Sequence, residues 1–312
     1  MEAVASVPDQ VRAACAWVAG RARSVTLDEA AVRPYAAILP EGAEVPGLDP
    51  ATHFVEGDRE QVATFVLCLD AINFGSGWWS TIRKRPGLSG YFTMAAGLAQ
   101  RFRSAGAWST AELTRLRATD VAGALDQDPD HPLMAQYAAA LRDVGAHVGE
   151  EHGGSFAAVV DAARGSAVAL AGELAGWEAF ADVSSYGGRD VPLFKRAQLA
   201  VADLDRAGVA QFADEHRLTV FADNLVPHVL RVDGVLRLDA SLARAIDAGE
   251  LLVHDSPEEV ELRAAAVHAV ELLSEATGRK LRPVDLDYVL WNRGQEPRYK
   301  AIPRPRSRTT AY

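Results

Sequence analysis

The sequence is poor in the features that mark several protein classes at first sight. It has two cysteines, Cys15 and Cys68, and neither belongs to a CxxC pair or a Cys/His cluster. A disulfide framework and a structural zinc site are therefore not expected, and a reduced, cytoplasmic protein is. No run of eighteen apolar residues is free of charge, so neither a transmembrane span nor a membrane partner is expected. The opening MEAVASVPDQVRAAC has no basic stretch followed by an apolar core, so no secretory signal is read there. A Walker loop, a GxGxxG turn, a GxSxG elbow and an HExxH pair are all missing. With them go the usual signatures of P-loop, dinucleotide, serine-hydrolase and zinc-protease chemistry. His131, His147, His152 and His216 have no ligand spacing and read as surface residues.

Positive charge is also scarce. Lys and Arg number 32 against 42 Asp and Glu, a net charge of −10. Intact nucleic acid is an unpromising partner for such a chain, because neutralising phosphates supplies most of the affinity for a polymer. One local exception exists: Arg298, Lys300, Arg304, Arg306 and Arg308 lie in eleven residues that contain no acid. That density suits one small phosphate, and it suits a solvated tail equally well.

What the chain does have is length and helix-forming residues. Its 312 residues are 49% hydrophobic and 24% charged, enough to bury well over half of the unfolded surface without a metal or disulfide. Pro8 to about Arg23 reads as an amphipathic helix with Val11, Cys15 and Val18 on one stripe. Thr26 with Glu29 offers a capping box to the next short helix, and Ser109 with Glu112 another. Asp58 to Asn73 is a strongly apolar helix that breaks at Gly75 and Gly77. Asp126–Pro132 is a loop, and a helix resumes near Leu133. After the break at 149–154, an Ala-rich helical stretch runs to about Trp177. SSYGGRDVP is a Gly-rich turn, LFKRAQLAVADLDRAG is helical, and Leu218–Phe221 is a short strand or a buried turn. The clearest helix has Ser256 as N-cap, Pro257 at its first position, Glu258 and Glu259 at the positive end of the dipole, and Gly278 as its stop. Val260, Ala264 and Val267 form its inner stripe. Without alternating strand–helix units, the expectation is a mainly α fold over residues 1–312, compact as one domain or as two helical lobes around a cleft.

Four places interrupt apolar surroundings with chemistry-bearing residues. Asp70, Asn73 and Phe74 end the apolar helix; leaving such polar groups unpaired in a core costs about 1–3 kcal/mol each, so they need partners. Phe194 and Lys195 follow the Gly-rich turn, in a segment that a solvated helix start explains as well. Asp223 and Asn224 sit between apolar runs beside Pro227, where Asx turns are common. Asp285 and Asp287 precede Leu290-Trp291-Asn292, and Asp285 is placed to cap a helix. Residue physics stops there, at a helical protein with several candidate buried acids.

The same places carry a resemblance. HFVEGDRE, FVLCLDAINFGSGWW, LFKRAQLAVADL, LTVFADNLVPHVL, EEVELRAAAVHAVELL and LDYVLWNRG…YKAIPRPRSRTTAY look like segments of the queuosine-salvage proteins, also known as queuosine 5′-phosphate N-glycosylases. They occur in that family's order over about residues 50–312. The resemblance implies a fold related to helix-hairpin-helix DNA glycosylases and a small-molecule nucleotide, queuosine 5′-monophosphate, as substrate. The base queuine would be its product, and no metal or cofactor is implied.

Breaking a nucleoside C–N bond builds positive charge on the sugar, which calls for a nearby carboxylate. The resemblance assigns that role to Asp223, as nucleophile or electrostatic stabiliser, with Asn224 beside it. Queuine lacks the N7 of ordinary purines and carries a secondary ammonium, so Asp70, Asn73 and Asp287 become candidates for its polar edges, with Asp285 and Phe74 as further substrate-binding candidates. His53 and Phe194 would line the base pocket, and Lys195, Lys300, Arg306 and Arg308 would hold the 5′-phosphate. The competing reading is a non-catalytic helical nucleic-acid-binding module, or a DNA-glycosylase relative acting on duplexes. A helical scaffold with no small ligand is the third.

Overall fold

A computed structural model describes residues 5–40 and 45–312. In chain order it comprises α1 (Val7–Ala19), β1 (Val25–Leu27), α2 (Glu29–Ala36), α3 (Arg59–Ala71), α4 (Gly90–Ala105), α5 (Thr110–Leu113), α6 (Ala118–Leu125), α7 (Pro132–Glu151), α8 (Phe156–Ala162) and α9 (Ala167–Leu174). There follow β2 (Val183–Tyr186), β3 (Arg189–Pro192), α10 (Lys195–Arg206), α11 (Leu225–Val232), β4 (Leu236–Leu238), α12 (Ala240–Asp247), α13 (Pro257–Ala276), α14 (Pro283–Arg293) and α15 (Pro297–Lys300). The protein is mainly α, as the periodicity implied. Among the described residues no helix is long and apolar enough to cross a membrane. Cys15 and Cys68 are free and buried.

Helix α13 is the axis of the fold. Its N-terminus follows the sequence: the Ser256 hydroxyl accepts from the Glu259 amide and Pro257 opens the first turn. Burial, however, reaches far beyond the expected stripe and takes in Glu259, Glu261 and Arg263 as well as Val260, Ala264 and Val267. A buried carboxylate needs partners. Glu261 has four: it accepts from the backbone amides of Arg23, Ser24 and Val25 at 3.0, 2.7 and 3.1 Å and from the Tyr186 hydroxyl at 2.7 Å. These bonds hold the turn between α1 and β1 against α13.

Three local expectations change. Thr26 is no helix cap; it lies in β1, paired antiparallel with Arg237 of β4, and Asp28 stands at the head of α2. Pairing with a distant strand overrides the local capping pattern. The Ala-rich stretch to Trp177 divides into α8 and α9, since Arg164 and Gly165 take φ of 50° and 76° and Ser155 and Ser166 each cap a new helix. The Gly-rich turn at 182–192 is a β-hairpin: β2 and β3 pair from Val183↔Pro192 to Tyr186↔Arg189 across Gly187 and Gly188, whose positive φ values suit a type I′ turn. The Ser109–Glu112 capping box and an equivalent one from Asp58 to Gln61 are both present.

The segment 303–312 has no helix and runs back across the body. The Leu252 amide donates to Arg306 O at 2.8 Å, and the Gly75 amide to Tyr312 O at 3.0 Å. Gly77 allows this approach: a Cβ there would lie 2.3 Å from the Ser307 carbonyl oxygen. Gly77→Ala should therefore lower stability by about 1–3 kcal/mol, the usual scale of overpacking against backbone. In contrast, a Cβ on Gly123 in α6 meets nothing within 4 Å. Gly123→Ala should raise stability by about 0.5–1 kcal/mol through helix propensity. Urea unfolding of both variants checks the opposite signs.

Candidate active site

A cavity of about 330 Å³ opens between α10, the head of α11, α14, the start of α4 and the 303–312 segment. Lys195, Leu199, Asp203 and Arg206 all line it from α10. Their spacing of four, four and three residues keeps them on one helical face. Asp223, Asn224 and Leu225 border it at the head of α11, and Asp287 and Trp291 from α14.

The polar floor is fixed mostly by backbone. Asp223 Oδ1 accepts from the Leu225 and Val226 amides at 2.8 and 2.9 Å, capping α11. Both bonds go to one oxygen, which leaves Oδ2 for the cavity. Asp287 Oδ1 accepts from the Phe221 amide at 3.1 Å. Burial, reinforced by Asp223, pushes the Asp287 carboxyl well above the ordinary range. The buried Lys195 ammonium donates to Asn73 O at 3.1 Å; burial lowers its pKa, while Asp223, Asp70 and Asp287 oppose that shift. Asn224 donates to Ser76 Oγ at 3.1 Å and to Pro305 O at 2.8 Å, joining α11 to the 303–312 segment.

One buried ion pair aligns these parts. Arg263 meets the Asp182 carboxylate in a bidentate fork at 3.1 and 2.6 Å, and its Nε donates to Ala222 O at 2.9 Å. Its guanidinium also lies 4.5 Å from the centre of the Tyr312 ring. Asp182 Oδ2 accepts from the Lys195 amide at 3.1 Å, and Asp182 O from the Leu193 and Phe194 amides. The residues preceding both Lys195 and Asp223 are thus held to one buried centre.

The opposite wall is aromatic. Trp291 packs edge-on to Tyr91 and Phe92, with ring centres 6.0 and 5.7 Å away. His53 Nε2 and the Tyr91 hydroxyl are 3.0 Å apart, and burial holds the imidazole pKa below its ordinary value.

Of the residues singled out in the sequence, His53, Asn73, Lys195, Asp223, Asn224 and Asp287 border the cavity. Asp70 does not; it is fully buried behind the wall, where Asn73 Nδ2 donates to its Oδ1 at 3.2 Å and Oδ2 has no partner. Phe74 also lies behind the wall, edge-on to Tyr137 at 5.0 Å and 4.9 Å from the Arg196 guanidinium. Phe194, with φ of 45°, is buried at the head of α10.

Asp285 lies outside the cavity altogether. It closes a capping box with Arg282, bound at 2.8 and 2.6 Å, because two residues along a helix turn the side chain by about 200° from Asp287. The basic cluster disperses in the same way. Lys300 is exposed, Arg306 donates to Gly249 O at 3.2 Å, and Arg308 reaches over Trp78. Arg304 alone of that group enters the cavity. Its guanidinium has no hydrogen bond or ion pair among the described residues; burial lowers its pKa and nearby Asp223 opposes this. Asp203, Arg206, Tyr91 and Trp291 escaped the sequence reading, although the helical spacing from Lys195 pointed at the first two. Among the described residues two groups could place three ligand atoms around a metal, Glu151/His152/Glu173 and His254/Asp255/Glu259. Neither borders the cavity.

A family model described as queuosine salvage protein matches residues 52–312. The chain belongs to the queuosine salvage protein family. Its curated relatives include a queuosine 5′-phosphate N-glycosylase/hydrolase from Sphaerobacter thermophilus, 34% identical over 311 residues that cover 95% of each chain. Relatives of the same name from Bos taurus and Mus musculus are 28% and 27% identical, covering 96% and 98% of this chain and 98% and 99% of theirs. Of the six segments that resemble the family, those starting at His53, Phe65, Leu193, Leu218 and Leu286 all place residues on the cavity, and the one starting at Glu258 does not.

Two outcomes follow from the buried charges. Arg263→Ala strands Asp182 without its partner and should cost about 3–5 kcal/mol in urea unfolding. Burial raises the Asp70 carboxyl well above its ordinary value. Its ionisation therefore opposes folding, at no cost below the ordinary pKa of roughly 4 and at a growing cost as pH rises from there toward the raised value. The melting temperature of Asp70→Asn should accordingly gain on the native protein as pH rises and converge with it at acid pH; parallel profiles would show that Asp70 titrates normally.

Proposed function

We propose that this chain hydrolyses the N-glycosidic bond of queuosine 5′-phosphate and releases queuine. The observation that carries the reading is the Asp223 carboxylate, locked through one oxygen by two backbone amides and sharing its cavity with the unpaired Arg304. A pre-aimed anion and a free cation suit a ligand that develops positive charge at one atom and carries phosphate at another. The relatives' shared name supports the same substrate.

In this reading Asp223 supplies negative charge beside the anomeric carbon as the C1′–N bond breaks and its electron pair leaves with the base. Water adds its oxygen to C1′ and gives up a proton, and the departing base takes one. Asp287, pushed toward its protonated form by burial and by Asp223, offers a proton at an edge of the base. The Tyr91–Trp291 wall stacks or packs against the flat ring. Arg304 takes the 5′-phosphate, in place of Lys300, Arg306 and Arg308, which point elsewhere.

Incubation with queuosine 5′-monophosphate, read by mass spectrometry for free queuine, tests the reaction itself. Asp223→Asn should reduce kcat by about a hundredfold or more, the scale of losing one preorganised electrostatic partner, with little change in melting temperature. Near-native turnover would remove Asp223 from this role. Arg304→Ala should shrink the kcat/KM advantage of the 5′-monophosphate over the nucleoside by roughly 10–100-fold, while an Arg306→Ala/Arg308→Ala double variant leaves it intact. The reverse pattern would return the phosphate to the tail.

A further inference from the structure

The face of α10 has a second polar end. Asp203 is buried, and its Oδ1 accepts from Arg206 Nη1 at 2.7 Å. That leaves Oδ2, on a residue that lines the cavity. Arg206 is itself shared, since its Nε donates to Pro46 O at 3.1 Å, and its guanidinium lies 5.7 Å from the Tyr288 ring centre. Tyr91, Tyr288 and Trp291 line the same cavity, and Asp203 is close enough to Tyr91 and His53 to act on both electrostatically. Arg304, by contrast, feels Asp223 and Arg306. Eight residues separate Lys195 from Asp203, a rise of about 12 Å along the helix. The cavity therefore has one end at Lys195, Asp223 and Arg304, and another at Asp203 among aromatic rings.

A half-partnered buried carboxylate walled by aromatic faces is a receptor for an organic cation. Burial lowers the His53 imidazole pKa and so disfavours its charged form beside Asp203. Asp70 is nearer the wall than the cavity and is closed off behind Asn73.

We propose that Asp203, braced by Arg206 and faced by Tyr91 and Tyr288, binds the secondary ammonium on the arm of the leaving base and sets the enzyme's preference for bases that carry it. The inference rests on the function proposed above. It makes Asp203 a specificity residue, remote from the bond that breaks, and explains why a cavity already supplied with Asp223 and Asp287 keeps a further buried acid at its other end.

The test compares two nucleotides of one shape: queuosine 5′-monophosphate, and its analogue with oxygen in place of the arm nitrogen. The native enzyme should favour the charged arm by at least about tenfold in kcat/KM, chiefly through KM. Asp203→Asn should abolish that ratio by slowing only the charged substrate. An undiminished ratio, or an equal loss on both nucleotides, overturns the assignment. Should an unpaired Arg206 unfold the Asn variant, Asp203→Asn combined with Arg206→Gln removes both charges at once and reads the same ratio: its collapse supports the assignment and its persistence overturns it. If the native enzyme releases base from neither nucleotide, the proposed reaction fails; if it turns over both and the ratio survives the substitution, only the role of Asp203 does.

Discussion

The fork between Arg263 and Asp182 is the constraint on which the cavity depends. Both side chains are almost wholly buried, where neither charge is tolerable alone. Each also spends its remaining hydrogen-bonding capacity on backbone: Arg263 on Ala222 O, Asp182 on the Lys195 amide. Two segments far apart in sequence, one leading into α10 and the other into α11, are thereby held in register with α13. A buried pair is weak evidence of net stability, since an apolar replacement of similar volume often does as well. Its value here is geometric. An apolar pair would fill the space but could not hold the backbone just before Lys195 and Asp223.

The cavity holds charged groups that the protein itself leaves short of partners. Lys195 gives its ammonium only a carbonyl, and Arg304 has no protein partner among the described residues; behind the wall, out of a ligand's reach, Asp70 keeps one carboxyl oxygen without a partner. Away from the cavity, Glu261 is by contrast satisfied by four donors. Groups left short of partners in a water-accessible cavity are ready for a ligand that completes them. The left-handed backbone at Phe194 belongs to the same region, consistent with strain gathering near functional sites.

Much of the architecture is legible in the residues alone. Ser256-Pro257 and Ser109–Glu112 announce helix starts because capping is a local interaction, decided within four residues. Thr26 misleads for the complementary reason: its partner, Arg237, lies more than two hundred residues away. At the site, Asp223, Lys195 and Asp287 stand out as polar residues in apolar runs. Asp203 does not, because ADLDR reads as an ordinary solvated helix end until α14 and the 46–53 segment are laid over it. Arg304 is visible only as one of five basic residues. Nothing local distinguishes it from Arg306 and Arg308: the three alternate positions of an extended segment would share a face, and only the path of that segment across the body brings Arg304 alone into the cavity.

The segment from 303 to 312 ties the wall of the cavity to the body behind it. It contributes Arg304, accepts the Asn224 side chain at Pro305 O and lays Tyr312 against Arg263. Lifting this one stretch of backbone would take away a cation, a partner of α11 and a ring over the buried ion pair together. A ligand that engages Arg304 therefore also holds the segment down, and stabilises its docked form by mass action.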